Sequence, residues 1–566
     1  MIRSTFSGLN TAFSALQASQ KRLDITGQNL ANMNTPGYTR QQLETSSLYY
    51  GGPVSNRMGG SSLITGYGVS MDRVSQIRDP YLDMQYRGQM TNSGYTDAFQ
   101  SALDSLSRIL DESNISGIRQ AFDDIQSTLT SMQSKPDDTV YESELRSRMQ
   151  ALTNLLNSSA NQINEAKKNQ FQKLDGSGSS ESGDIQKVND ILRQVGDLNH
   201  QIKRNQIKGQ PSLELLDQRN LLLDELSSYL PVEISYYKDE NHDGKDADGN
   251  YAIHELYDVK NTYDDDGNLI NQTILGKKEW PDDLRVEMTY TDSDGTVKRF
   301  TLVDGTEGKA GENYAELKMK TGDADHPDLA SIEFLSPKSK ALQTSVTASS
   351  QGIQFSGGTI QVGLDMLGKD GSMTDDTNDV RGYQYYMNQL DKLAQTFADT
   401  MNNINKNGSK PGDPYHLLIN KGDQTDADIT AANIGISSSW QNGGTHIGTG
   451  SGTGVDESPS DTVMNMINAM KSPHAGLGNN SFSDFMNNVS SILANDSASN
   501  QTALQTNVTV LNGIQNARDS VSGVSLNEEG SNTMVYLSAY NAASRLMTAL
   551  DEALNTLINS TGLVGR

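Results

Sequence analysis

The side chains best spaced for chemistry form one short acidic run. Asp239, Asn241, Asp243 and Gly244 match the first half of an EF-hand calcium loop, and Asp246 and Asp248 add two carboxylates. Calcium takes six to eight oxygens, and such a loop is closed by a bidentate Glu at its twelfth position. Here the twelfth position is Asn250, and the flanking residues read as strands rather than helices. Asp239, Asn241 and Asp243 are therefore weak candidate calcium ligands, and acidic hairpin turns are the plainer reading of the same residues. None of the seven His lies three or four residues from another, and neither an HExxH nor a Gly-x-Ser-x-Gly motif occurs. With no Cys in the chain, disulfides, thiolate chemistry and Cys-based zinc sites are excluded. The residues thus predict neither catalysis nor a resident cofactor.

What the chain does carry is a pair of matched ends. Ile2, Phe6, Leu9, Phe13, Leu16, Leu23 and Leu30 alternate at four and three residues, interrupted at Gln20 and Gly27. Tyr536, Ala539, Ala543, Leu546, Leu550, Ala553 and Leu557 repeat that spacing near the other terminus. The alternation puts each set on one narrow helical seam, the stripe a coiled coil buries. Two surface helices on one core would show the same stripes. Chain ends usually fray, however, so a seam at each extreme favours pairing and assembly.

The residues after the first seam carry a family resemblance. Asn29-Leu30-Ala31-Asn32-Met33-Asn34-Thr35-Pro36-Gly37-Tyr38-Thr39-Arg40 resembles the signature that ends the first helix of bacterial flagellar rod, hook and hook-associated proteins. Its core is Asn32, Asn34, Thr35, Pro36, Gly37 and Tyr38. Pro36 bars Thr35 from the α region, so the helix must stop there, and Pro36-Gly37 suits the centre of a type II turn. Gly523–Glu529 followed by Tyr536, Ala539-Tyr540 and Ala542–Arg545 resembles the closing helix of the same family, with Ser525 and Glu528 in capping-box positions. Leu215–Ser227 resembles a Leu-rich motif of the hook-associated members at the junction of hook and filament, with Asn220 where they usually have Asp. Arg78–Leu82 with Gln85–Arg87, Asn378–Gly382 and Asp428–Ile434 agree more weakly. The resemblance spans about three quarters of the chain but leaves out residues 232–345.

Composition bounds the answer separately. A chain of 566 residues exceeds one core and should hold three or four domains. The formal charge of -26 argues against nucleic acid, which needs a basic footprint. That charge is uneven, from +3 over residues 1–90 to -12 over residues 232–345. An acidic exposed segment keeps a polymerising protein soluble. No apolar run approaches the roughly 18 residues of a membrane span, and the N-terminus lacks the apolar core of a cleavable signal peptide.

Between the ends, helical stripes dominate. They comprise Ile118–Met132, Leu145–Leu156, Val188–Ile202, Tyr386–Phe397, Phe482–Ile492 and a last one of Leu504, Val508 and Leu511. Short β-prone runs at Val232–Tyr237, Leu284–Tyr290 and Arg299–Val303, separated by Asp-Gly turns, predict an antiparallel domain inserted in the helical part. An exposed insert with adjoining ends should be removable without unfolding the bundle. Gly448–Gly454 reads as a flexible loop, not a phosphate cradle.

The expected architecture is a mainly α, elongated multidomain axial protein with an inserted β domain. Residues 1–60 and 520–566 would form the terminal coiled coil, and 61–231 with 372–519 the helical bundle, with an irregular excursion at about 407–460. Residues 232–371 would be the acidic β-rich insert. The resemblance implies a structural, non-enzymatic part of the flagellum that assembles with itself into a ring. It also implies the hook protein, hook-associated protein 3 and a flagellar export chaperone as partners, and type III export without a cleaved signal. Membrane insertion is not expected. The competing readings are another axial protein of the hook or rod, and a calcium-binding surface adhesin.

Overall fold

The computed structural model describes residues 5–48, 66–110, 116–176, 182–237, 257–263, 269–277, 282–291, 296–306, 311–320, 331–347, 354–371, 380–410, 412–448 and 460–560. Helix α1 (Thr5–Asn32) leads into an antiparallel hairpin of β1 (Gln41–Ser47) and β2 (Val69–Gln76). Five helices follow: α2 (Pro80–Leu110), α3 (Ser116–Met132), α4 (Thr139–Asp175), α5 (Asp184–Ile207) and α6 (Leu213–Tyr229). The insert supplies β3 (Val232–Tyr237), β4 (Tyr257–Tyr263), β5 (Leu269–Lys277), β6 (Asp283–Thr291), β7 (Val297–Asp304), β8 (Glu316–Lys320), β9 (Ser331–Leu335), β10 (Leu342–Thr347) and β11 (Gln354–Phe355). The chain returns through α7 (Thr359–Gly368), α8 (Tyr383–Gly408), β12 (Leu418–Asn420), β13 (Ile434–Ile436), α9 (Ser438–Gln441) and α10 (Asp461–Lys471). It closes with α11 (Phe482–Ser522) and α12 (Leu526–Ser560). At 41 residues, α11 is about 60 Å long.

Two apolar cores hold this arrangement. The first gathers the predicted stripes of α3, α4 and α8 with the end of α2, α10 and the first third of α11. Its centre is an aromatic triad: Phe122 stacks on Phe482 at 5.5 Å, and Phe397 meets both edge-on at 5.4 Å. Such offset and edge-to-face pairs suit the ring quadrupoles. Helix α4 starts where the Asp138 side chain accepts the Val140 amide, and it stops at Gly176, whose φ of +81° only glycine adopts cheaply. The stripe expected at Leu504, Val508 and Leu511 does not join a core. Leu504 and Leu511 are half-buried and Val508 is exposed, because the neighbouring α2 offers polar side chains there.

The second core changes the picture of the insert. β6 is central to its sheet, and β3, β7 and β11 each pair directly with it, β3 along residues 283–288 and β11 at Tyr290 and Thr291. β8, β9 and β10 form a second antiparallel sheet. Alternate residues Leu284, Val286 and Met288 of β6 join Phe300, Leu302, Ile332 and Phe334. These pack in one core with Val188, Leu192 and Val195 of α5 and Leu223 and Leu226 of α6. Buried polar bonds reinforce the contact. Lys203 of α5 meets Asp283 at 2.6 Å, and Asn189 exchanges two bonds with the backbone of Leu317. Gly196 permits the closest approach, since a Cβ there would lie 2.8 Å from Asn313 Oδ1. The insert does enter and leave side by side, Val232 pairing with Met288 and Phe355 with Tyr290. Yet its inner faces cover α5 and α6, so the expectation of a freely removable module is corrected: removal would uncover those helices.

Candidate assembly site

The terminal helices pack on each other as α1 and α12. Arg22 of α1 lies over the Tyr536 ring at 5.6 Å, and Leu550 sits against Gly8. In α1, Ala12, Ala18 and Ile25 are the buried apolar residues, while Leu9, Leu16, Leu23 and Leu30 are half-buried and Phe13 is exposed. Ile2 lies outside the described residues, as do Asp239, Asn241 and Asp243, and Phe6 is described for its backbone alone. In α12 the single stripe read from sequence resolves into two faces. Tyr536, Tyr540, Ala543, Met547, Leu550 and Leu554 form the covered face. Val535, Ala539, Ala542, Leu546, Ala549 and Ala553 form an exposed one, again at four-three spacing, with Leu557 one turn further on and Leu546 and Leu557 about half accessible at 50% and 52%. One heptad-spaced face pairs within the chain and the other is uncovered.

Below this pair, the motif residues build a clasp. α1 ends at Asn32, and the Tyr38 amide donates to the Thr35 carbonyl at 3.1 Å across Pro36 and Gly37, whose φ of +77° completes the predicted turn. Asn32 donates to the Gln28 carbonyl and accepts from the Thr35 hydroxyl, whereas Asn34 is exposed. The residue that organises the motif is Asn29, outside the set singled out from sequence. Nearly inaccessible, it mimics a strand: its Nδ2 donates to the Gln41 carbonyl and its Oδ1 accepts the Gln41 amide, both at 3.0 Å. The Tyr38 hydroxyl donates to the same Oδ1 at 2.9 Å. Burial, with the nearby charges of Asp217, Glu214 and Glu529, pushes the Tyr38 hydroxyl pKa well up, which keeps it a donor. Its place at the start of the quoted motif was the sequence signal available for it.

The clasp continues into the Leu-rich motif. Thr39 gives its amide and hydroxyl to Asp217, at 3.1 and 2.6 Å. The Arg40 amide donates to the Ser522 carbonyl, and its guanidinium pairs with Glu528. Glu528 therefore faces Arg40, and only the Ser525 half of the expected capping box is present, a long 3.5 Å contact to the Glu528 amide. Arg78 holds Asp83 through two bonds of 2.9 and 3.1 Å, and Arg87 holds Asp224 at 2.8 Å while reaching Asn220 Oδ1 at 3.3 Å. Asn220 supplies an acceptor without a further charge. Burial works against the Asp83 carboxylate, but bonding to Arg78 and the charges of Arg78, Arg518 and Arg87 hold its pKa below the usual range. Asp217 goes the other way: burial outweighs the Thr39 bonds and raises it.

This geometry positions helices. Among the described residues no group of three or more His, Cys, Asp or Glu is placed to hold a metal ion, and no helix is long and apolar enough to cross a membrane. Comparison with known proteins points to the bacterial flagellum. Residues 103–253 match the family model for the flagellar hook-associated protein FlgK helical domain, and residues 9–39 match that for the flagella basal body rod protein. Over 569 residues, covering all of both chains, the sequence is 26% identical to flagellar hook-associated protein 1 of Bacillus subtilis. It is 23% identical to the Escherichia coli protein of that name, over 97% of this chain and 99% of the other. The Salmonella typhimurium protein of that name is 30% identical over 40% of this chain and 39% of its own. The solved flagellar hook junction protein FlgK from Burkholderia pseudomallei is a looser likeness, with TM-score 0.34 and 16% identity over 60% of this chain and 46% of that one. End-to-end alignment, a matched rod-type first helix and a matched helical domain together make the chain similar, along its whole length, to proteins named flagellar hook-associated protein 1.

Proposed function

We propose that the protein is an adaptor at the hook–filament junction, forming a ring between the hook protein and hook-associated protein 3. The observation that carries this is the second, uncovered heptad face of α12, Val535 to Leu557. A helix already paired on one face keeps such a seam exposed only at a cost in solubility, unless a neighbour covers it. We assign it to axial neighbours, so that terminal helices stack from subunit to subunit along an inner layer. The division into a terminal pair of 1–60 and 520–566, a helical body and an outward acidic region of 232–371 belongs to this reading. So do type III export without a cleaved signal and an export chaperone that shields the seam before assembly.

The two faces give the test. Leu546→Asp charges the uncovered face and should leave the free protein folded while abolishing filament growth in cells that depend on it. Leu550→Asp charges the covered face and should loosen the α1–α12 pair even in the free protein. Normal filaments with Leu546→Asp would overturn the adaptor seam. A rod or hook role is disfavoured by full-length alignment with hook-associated proteins. Calorimetric titration of the full chain with calcium tests the competing reading at Asp239, Asn241 and Asp243.

A further inference from the structure

α11 is two different helices in sequence. Phe482, Phe485, Met486, Val489 and Leu493 anchor its first third in the aromatic core, and beyond Leu493 its one buried residue is Asn500. From Ser497 to Ala517 it has no charged residue. What joins this distal part to α2 is amides. Gln100 donates to Ser497 Oγ at 2.9 Å, Asn500 donates to the Thr96 carbonyl at 2.9 Å and to Gln100 Oε1 at 3.0 Å, and Gln89 donates to Asn507 Oδ1 at 3.0 Å. Each such bond replaces one to water and contributes only about 1 kcal/mol net. Val508 and Val510 stay exposed. Segments with few buried apolar contacts open at lower free energy than the core they leave.

The seam ends in a set of alternating charges. Asp217, Arg78, Asp83, Arg518, Asp224 and Arg87 follow one another in contact, three cations and three anions, each side chain at most 14% accessible. Arg518 is the one member on α11. It bridges Asp83 at 3.1 Å and Asp224 at 2.6 Å and lies over the Tyr86 ring at 4.6 Å. Buried ion pairs add little net stability, but they are directional, and removing one partner strands the others. Four residues past Arg518, Ser522 meets Arg40, and α12 begins.

We propose that α11 from about Ser497 to Ser522 is a hinged arm carrying the terminal helix pair, and that Arg518 is the positioning residue that clamps the arm to the body. The hinge falls near Leu493, the last fully buried apolar residue of the helix, beyond which Leu504, Leu511 and Ile514 are only half-buried. The clamp sets the angle at which the terminal pair leaves the body, and its release lets arm and pair swing together while the aromatic core stays closed.

Native-state amide exchange on the full chain tests this. Residues 497–522 should exchange as one unit, faster than 482–493. Arg518→Met should raise exchange across 497–522 by roughly 10- to 100-fold, the loss expected for bonds to charged groups, with 482–493 unchanged, and Arg518→Lys should restore part of the protection. Uniform exchange along α11, or an Arg518→Met effect spread equally over both parts, would overturn the proposal. Because the chain has no Cys, Gln89→Cys with Asn507→Cys gives a second arm of the experiment without relying on Arg518. Oxidation should slow exchange of 497–522 toward that of 482–493, and no difference between oxidised and reduced forms would contradict a hinged arm.

Discussion

The same helix, α11, is held in two ways, and the contrast explains how a subunit can be both stable and adjustable. At its start, Phe482 sits between Phe122 and Phe397 in a fully buried cluster. Toward its end, amides and a chain of Arg and Asp residues do the holding. Apolar burial is non-directional and strong in sum, whereas polar seams are weak in sum but specific in geometry. The body is built from the first kind, and the connection to the terminal pair from the second.

Removing the insert should break the body side of that contrast most severely. Replacing 232–345 by a Gly/Ser linker would expose Val188, Val195, Leu223 and Leu226, which share a core with Leu284, Val286, Phe300 and Phe334. The deletion protein should lose protection in α5 and α6 and bind a hydrophobic dye, while helices of the aromatic core keep theirs. Unchanged exchange in α5 and α6 would restore the picture of a detachable module. Next in size, Phe397→Ala should cost about 3–5 kcal/mol in denaturant unfolding of the body. Asn507→Ala, on the polar seam, should cost about 1 kcal/mol or less.

How far the sequence disclosed this follows from what each part rests on. Stripes such as Ile118–Met132 and Val188–Ile202 were legible because four-three apolar spacing and a buried helix face are the same fact. β3 was legible to the residue, Val232–Tyr237, and the type II turn at Pro36-Gly37 followed from backbone sterics. The stripe at Leu504, Val508 and Leu511 misled, because spacing cannot say whether the facing helix is apolar, and α2 presents Gln89, Thr96 and Gln100 there. The roles of Asn29, which opens the quoted motif, and of Arg518 were not legible for a related reason. Their partners lie at Gln41 and at Asp83 and Asp224, contacts that only the fold brings together. The terminal seam was read as one stripe because two heptad faces set one residue apart overlap in a linear count.

Smaller effects sharpen the comparison. Asn29→Ala removes three bonds from a buried strand mimic and leaves the Gln41 backbone groups unpaired, a cost of about 1–3 kcal/mol. It should appear as faster exchange at the start of β1, with the aromatic core unaffected. The pH response should be alkaline and centred on the body. Burial raises the Tyr383 pKa from 10.0 to about 12, and Tyr386 and Tyr95 are raised further. A raised folded-state value means these hydroxyls contribute stability that is intact below the unfolded pKa near 10 and is lost as pH rises toward the folded value. The denaturant midpoint should therefore hold steady to about pH 10 and fall between about pH 10 and 12. Phenolate absorbance should rise for these three only as the body unfolds.

The adaptor account stands or falls most directly on cryo-electron microscopy of a native hook–filament junction containing this protein. It predicts that Val535, Leu546 and Leu557 on the uncovered face of α12 lie against a terminal helix of a neighbouring subunit, with the α1–α12 pair preserved on the opposite face. Finding that face bare toward water, with neighbours engaged elsewhere, would contradict it.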